Sequence, residues 1–105
     1  MESSSEWKLN LRYGKTVTPF HHYSLIGGGM MLDESNQYGC RVGSAVMSVK
    51  IWALNETQAA ETFQMIGDKV GFFVDQAIEV YETEPEEPPL DNSYGYDVGF
   101  IPYDE

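Results

Sequence analysis

The sequence has few of the residues on which covalent cross-links and metal sites depend. Cys40 is its one cysteine, which excludes an internal disulfide framework and a zinc site built from cysteines. No stretch approaches the roughly 20 consecutive apolar residues that a membrane-spanning helix needs. The opening MESSSEWK has neither the basic start nor the apolar run of a secretory signal peptide. These absences favour a cytoplasmic protein.

Positive charge is also scarce, and it is absent from the last third of the chain. The 105 residues carry 17 acidic side chains against six Lys and Arg, a formal net charge of −11. Residues 1–69 hold seven acids and six bases (−1), whereas residues 70–105 hold ten acids and no base (−10). Such a field repels nucleic acid and acidic membranes and attracts basic proteins. We therefore expect a basic protein partner, with solubility alone as the alternative role of the charge.

The length and composition predict a single folded α+β domain over residues 1–105. Leu, Ile, Val and Phe total 24 of the 105 residues, about 23%, which is above the level of disordered chains. The Ser/Glu-rich segment 1–5 is expected to be frayed. The rest is large enough to bury a modest core.

Alternating and β-rich segments predict about five strands in a mainly antiparallel sheet. In WKLNLRY, apolar residues alternate with polar ones, which is typical of a half-buried strand. Alternation in SAVMSVKIWAL likewise predicts a core face that runs from Ala45 to Ala53. The predicted strands cover residues 7–13, 20–26, 44–54, 77–83 and 94–100.

One principal helix is predicted at about residues 56–70, packed on the sheet. Asn55 is a good N-cap, and Gln58 follows three positions later, as in a capping box. Gly71 is a plausible residue to end the helix, because glycine readily adopts the left-handed conformation found there. The strands on either side predict a β-α-β crossover at 44–83.

Residues 84–93 form a Pro/Glu-rich connector between the last two predicted strands. Its three prolines cannot donate ladder hydrogen bonds and favour a stiff, extended backbone. After the connector, bulky apolar residues occupy every second position from Tyr94 to Phe100, which predicts a strand rather than a disordered tail. The connector would then be held at both ends, and charge held in place binds a partner at a smaller cost in entropy.

Acidic and tyrosine side chains are interleaved in and around the connector. Tyrosines are enriched at protein contacts, and carboxylates pair with Lys and Arg across them. In the alternative interpretation the tyrosines pack the sheet and the acids are solvated. The candidate partner-binding residues are Glu79, Tyr81, Glu82, Glu84, Glu86, Glu87, Asp91, Tyr94, Tyr96 and Asp97.

A second interpretation is a small-molecule or metal-binding domain with an enzyme-like site at His21, His22 and Cys40. Arg41 places a cation beside the thiol of Cys40, which could make it a nucleophile, and a histidine could act as its base. Adjacent residues of a strand point to opposite faces, however, so the two histidines do not readily share a metal ion. We predict no catalytic residue, cofactor or metal, and therefore no enzyme.

The glycine run and Trp52 allow two further interpretations. Gly27-Gly28-Gly29 lacks the Lys-Ser/Thr of a phosphate-binding loop, so a turn or bulge that interrupts or ends the second strand is the better account. Trp52 lies on the less apolar face of its strand, which indicates that this face is partly covered or forms a contact. A structural homo-oligomeric subunit, pairing through Trp52 or the 94–100 edge strand, is therefore the third interpretation.

In length and acidity the chain resembles inhibitor proteins that neutralise basic toxins, such as the immunity partners of bacterial nucleases. The segments WKLNLRYGKTVTPFHHYSLIGGG and IEVYETEPEEPP also resemble bacterial sequences in style. The resemblance implies a small acidic binding protein that occludes a basic partner. It rests on length and charge, and it transfers no functional residue.

Overall fold

A computed structural model describes residues 6–15, 17–34 and 37–102 of the chain. Within these residues the fold is α+β, with two helices and one antiparallel sheet of four strands in the order β3-β1-β2-β4. The predicted frayed segment, residues 1–5, lies outside the described residues. The elements are α1 Glu6–Arg12, β1 His21–Met31, β2 Gly43–Ala53, α2 Glu56–Val70, β3 Phe72–Glu82 and β4 Tyr94–Pro102.

The core lies between α2 and one face of the sheet. On β2, every second residue from Ala45 to Ala53 is buried, which confirms the core face that the sequence predicts. Phe63 of α2 and Leu25 of β1 are fully buried in the same layer. Apolar side chains at spacings of four, three and four turn one stripe of α2 toward the sheet; they are Ala59, Phe63, Ile66 and Val70.

The ends of α2 agree with the sequence prediction. The Asn55 side chain accepts a hydrogen bond from the Gln58 amide at 2.8 Å, and Gln58 Oε1 accepts one from the Leu54 amide at 2.7 Å. Gly71 ends the helix with a φ of 83°, in the left-handed region. β2 and β3 are each antiparallel to β1, which lies between them, so the predicted crossover joins two strands that run in the same direction.

The prediction of a first strand at residues 7–13 is wrong, because this segment forms helix α1. Trp7 and Leu11 are four residues apart, so the pattern that fits strand alternation also fits one face of a helix. Leu, Lys and Arg, which fill much of the segment, also have high helix propensity. α1 has no buried residue. The sheet therefore has four strands, not about five, and a second, short helix accompanies the principal one.

The glycine run lies inside β1 and marks a bulge in its pairing with β3. The register shifts between Gly27 and Gly29. A Cβ at Gly29 would lie 2.0 Å from the Phe73 carbonyl oxygen, and one at Gly27 would lie 2.7 Å from the Phe63 ring. The glycines therefore let the edge strand and the helix approach β1 closely, and the strand continues to Met31.

β4 begins at Tyr94, as predicted, but its side chains change faces within the strand. Alternate residues share one face of a regular strand, yet the pairing with β2 shifts between Ser48 and Lys50, and Asp97 has a φ of 57°. Tyr94 and Tyr96 therefore lie on the face away from α2. Val98 and Phe100, beyond the bulge, pack against the core.

Candidate functional site

The connector crosses the sheet on the face away from α2, which we call the open face. β3 and β4 lie at opposite edges of the sheet, so the chain between them must pass across β1 and β2. Strand pairing aligns Thr83, His22, Trp52 and Tyr94 at the end of the open face that the connector crosses. The connector therefore has a row of polar and aromatic side chains beneath it.

The hydroxyl of Tyr96 is the central anchor of the connector. It accepts hydrogen bonds from the backbone amides of Glu86 at 2.9 Å and Glu87 at 3.2 Å. A phenol oxygen has two lone pairs, and these two amides use both. Its proton is therefore donated to Nε2 of His22, which lies 2.7 Å away.

This arrangement makes His22 neutral, with its proton on Nδ1. The Nδ1–H group donates to the Thr83 carbonyl at 3.1 Å, and Thr83 lies immediately before the connector. Burial of the ring lowers the pKa of His22, which keeps the ring uncharged at neutral pH. Protonation at Nε2 would place a second donor against the Tyr96 hydroxyl proton and disturb the anchor.

Three more hydrogen bonds hold the connector. They are donated by Trp52, by Ser93 at the end of the connector and by Tyr94 at the start of β4. Trp52 Nε1 donates to the Glu87 carbonyl at 2.9 Å, and the Ser93 hydroxyl donates to the Trp52 carbonyl at 2.8 Å. The Tyr94 hydroxyl donates to the Pro88 carbonyl at 2.5 Å. Trp52 is only 4% exposed, so the open face is partly covered there, and this side chain is not available as an oligomer contact.

Lys50 neutralises part of the acidic charge on the open face. Its Nζ lies 2.6 Å from a Glu86 carboxylate oxygen and 3.0 Å from Asp97. Hydrogen bonds to Glu86 and then Asp97 raise the pKa of Lys50 to about 12. Two of the candidate carboxylates therefore hold the connector and β4 to β2, and their charge is not fully available to a partner.

The structure divides the ten candidate residues into an anchoring group and an exposed group. Tyr94, Tyr96, Glu86 and Asp97 anchor the connector through the contacts described above. In the exposed group, Glu79 accepts a hydrogen bond from the Tyr81 hydroxyl, and Glu82 lies 3.6 Å from His21. The exposed group consists of Glu79, Tyr81, Glu82, Glu84, Glu87 and Asp91.

Sequence reasoning missed most of the residues that support the connector from beneath. His22, Lys50 and Thr83 were not identified as supports, because each takes its role from a partner about 36 to 74 residues away. Trp52 carried the one usable signal, since a large aromatic residue on a polar strand face indicates a cover.

A cleft of about 370 Å³ separates α1 from the acidic end of β3. Lys8 and Arg12 of α1 line one part of it, and Glu82 and Glu84 line another. The basic side chains of the first third of the chain thus lie near part of the acidic surface. They weaken its negative potential at this end, as Lys50 does at Glu86 and Asp97.

The structure does not bring together the residues of the enzyme-like interpretation. Cys40 is buried in the β1–β2 loop near Met31, whereas His21 and His22 begin β1 at its other end. Nine residues of extended strand correspond to about 30 Å. Among the residues that the structure describes, no group of three His, Cys, Asp or Glu side chains could hold a metal ion.

Comparison with known proteins gives no relative for this chain. No protein-family model matches it, and no curated protein or solved structure matches it either. Across the described ranges, no helix has the length and apolar character required to cross a membrane.

Proposed function

We propose that this chain is a small acidic binding protein of the inhibitor or immunity type, of bacterial origin, that acts in the cytoplasm by occluding a basic protein partner. The observation that supports this proposal is the anchoring of the connector. Hydrogen bonds to Tyr96 and Trp52, and the Lys50 ion pairs, hold its backbone against the sheet. The carboxylates of Glu84 and Glu87 therefore project from a fixed position.

Fixed acidic charge suits the recognition of a basic surface for two reasons. The partner does not have to order a flexible loop, so less entropy is lost on binding. The ten acids of residues 70–105, with no base among them, also attract a basic protein over a long range and speed its association. We expect the complex to form fast and to weaken as salt is added.

A pull-down from the source cells, at low and then high salt, tests the proposal. The immobilised protein should capture a basic protein at low salt and release it at high salt, and mass spectrometry would identify that protein. A Glu84→Gln/Glu87→Gln variant should lose the capture. The matched control, Glu56→Gln/Glu61→Gln, removes the same charge from exposed positions on α2 and should retain it.

Two results would count against the proposal. If no basic protein is captured at any salt concentration, the chain does not act by binding one. If both double variants lose the partner to the same extent, net charge alone governs binding, and the connector has no special part in it.

A further inference from the structure

Beyond the connector, no segment in the described part of the chain covers the open face of the sheet, and several apolar side chains are exposed there. Ile101 is 68% exposed, Phe73 57% and Ile26 40%, and strand pairing places Met30 beside Phe73 and Val46 beside Ile101. Ser44 and Ser48 of β2 lie between them, paired with Met30 and Ile26, and a cluster of exposed apolar side chains of this kind marks interaction sites in soluble proteins. We call these five residues the apolar patch: Ile26, Met30, Val46, Phe73 and Ile101.

Two acidic side chains of edge strand β3 flank the apolar patch. Glu79 on edge strand β3 is paired with Ile26 of the patch, and Asp75 is exposed on the same strand. Of the open-face residues in the described ranges, Lys50 is the one Lys or Arg, and it is paired with Glu86 and Asp97. A surface that complements this region needs apolar side chains flanked by Lys or Arg.

Charge also argues against a second copy of this chain as the occupant. Each copy has a formal net charge of −11, and two open faces would bring acidic edges together without compensating cations. A cationic partner reverses the sign of that interaction.

The size of the apolar patch fits a short helix. Five residues of β1, from Ile26 to Met30, span about 13 Å, and four neighbouring strands span about 14 Å. A helix of about nine residues has the same length. The opposite face of the sheet is already covered by a helix, α2, in this way.

We propose that the apolar patch docks a cationic amphipathic helix of the basic partner. Its apolar side chains would contact Phe73, Ile101 and Ile26, and its Lys or Arg side chains would reach Glu79. This inference rests on the proposed function and deepens it, because the partner then contacts the open face of the sheet as well as the connector.

Two synthetic peptides test the inference without knowledge of the partner. One is an amphipathic helical peptide of Leu and Lys, and the other has the same lysines with every Leu replaced by Ser. Titration calorimetry should show that the wild-type protein binds the Leu/Lys peptide at least about tenfold more tightly than the Ser/Lys peptide. Because the two peptides have equal charge, the difference between their affinities measures the contribution of apolar contacts to binding.

A pair of protein variants locates the binding site. Phe73→Ser/Ile101→Ser should reduce the affinity for the Leu/Lys peptide about tenfold and leave that for the Ser/Lys peptide unchanged. Leu32→Ser/Met65→Ser is the matched control, because both side chains are exposed but lie outside the apolar patch. Circular dichroism would verify that all variants remain folded.

The possible results separate the two proposals. Equal binding of both peptides, or equal losses in both double variants, would overturn docking at the apolar patch and leave the acidic binding function standing. If neither peptide binds at low salt, both the docking proposal and the proposed acidic binding function are overturned. A wild-type dimer in sedimentation that Phe73→Ser/Ile101→Ser abolishes would show that a second copy occupies the patch, which also overturns the inference.

Discussion

Replacing Tyr96 with Phe removes one oxygen atom and should release the connector. That hydroxyl accepts hydrogen bonds from the Glu86 and Glu87 amides and donates one to the buried His22 ring. The ring of Tyr96, which contacts the His22 and Tyr94 rings, is retained in the variant. The substitution therefore tests the hydrogen bonds and leaves the aromatic packing in place.

The magnitude follows from the three bonds that are lost. A neutral hydrogen bond contributes about 0.5–1.5 kcal/mol net, so three bonds set an upper limit of about 4 kcal/mol. Glu86 and Glu87 lie on the exposed connector, so water can replace the acceptor of their amides. His22 is 4% exposed and cannot regain a donor so easily. We expect the free energy of unfolding to fall by about 1–2 kcal/mol.

Urea unfolding followed by tryptophan fluorescence measures this change, and hydrogen exchange locates it. In Tyr96→Phe, the Glu86 and Glu87 amides should exchange faster, whereas amides of the central strand β1 should keep their relative protection. Tyr81→Phe is the matched control, because its hydroxyl donates to Glu79 on the same strand. Equal stability losses in the two variants, with slow exchange at Glu86 retained, would refute the reasoning.

Three further predictions concern the glycine bulge, the lysine and the histidine. Gly29→Ala should lower the melting temperature strongly or prevent folding, since its Cβ would lie 2.0 Å from the Phe73 carbonyl oxygen, whereas Gly99→Ala, with its nearest neighbour at 3.4 Å, should be tolerated. Lys50→Met should lower the free energy of unfolding by about 1 kcal/mol at low salt and less at high salt, because its two ion pairs are partly exposed. The pKa of His22 is lowered in the folded state, so the unfolded chain binds more protons just below pH 6.5. The free energy of unfolding should therefore fall there as the pH falls, by up to about 1.4 kcal/mol per pH unit. In urea titrations, His22→Gln should remove this pH dependence.

Local signals in the sequence predict those elements whose structure is determined by residues close together in the sequence. Helix α2 is predicted at its observed bounds, because Asn55 and Gly71 mark its ends and its apolar residues recur with the period of a helix. The core face of β2 follows from apolar residues at every second position from Ala45 to Ala53. Residues 7–13 are too few to separate the two-residue period of a strand from the 3.6-residue period of a helix, so the sequence predicts a strand where the structure has a helix.

The remaining features depend on contacts between distant parts of the chain. The bulge at Asp97 moves Val98 to the core face, and nothing in the local alternation indicates that change. The sequence predicts that the connector is held at its ends, and the structure also holds it in the middle, at Glu86, Glu87 and Pro88. That difference arises because His22 and Lys50 come from strands that only the tertiary fold places beneath it.

Backbone relaxation by nuclear magnetic resonance tests the central claim most directly. Order parameters should be measured for the amides of Glu84, Glu86, Glu87, Leu90 and Asp91. The anchored connector predicts values near about 0.85, similar to those of the β-strands. Values below about 0.6 along the connector would show a mobile loop on the picosecond to nanosecond timescale and would contradict a fixed acidic surface.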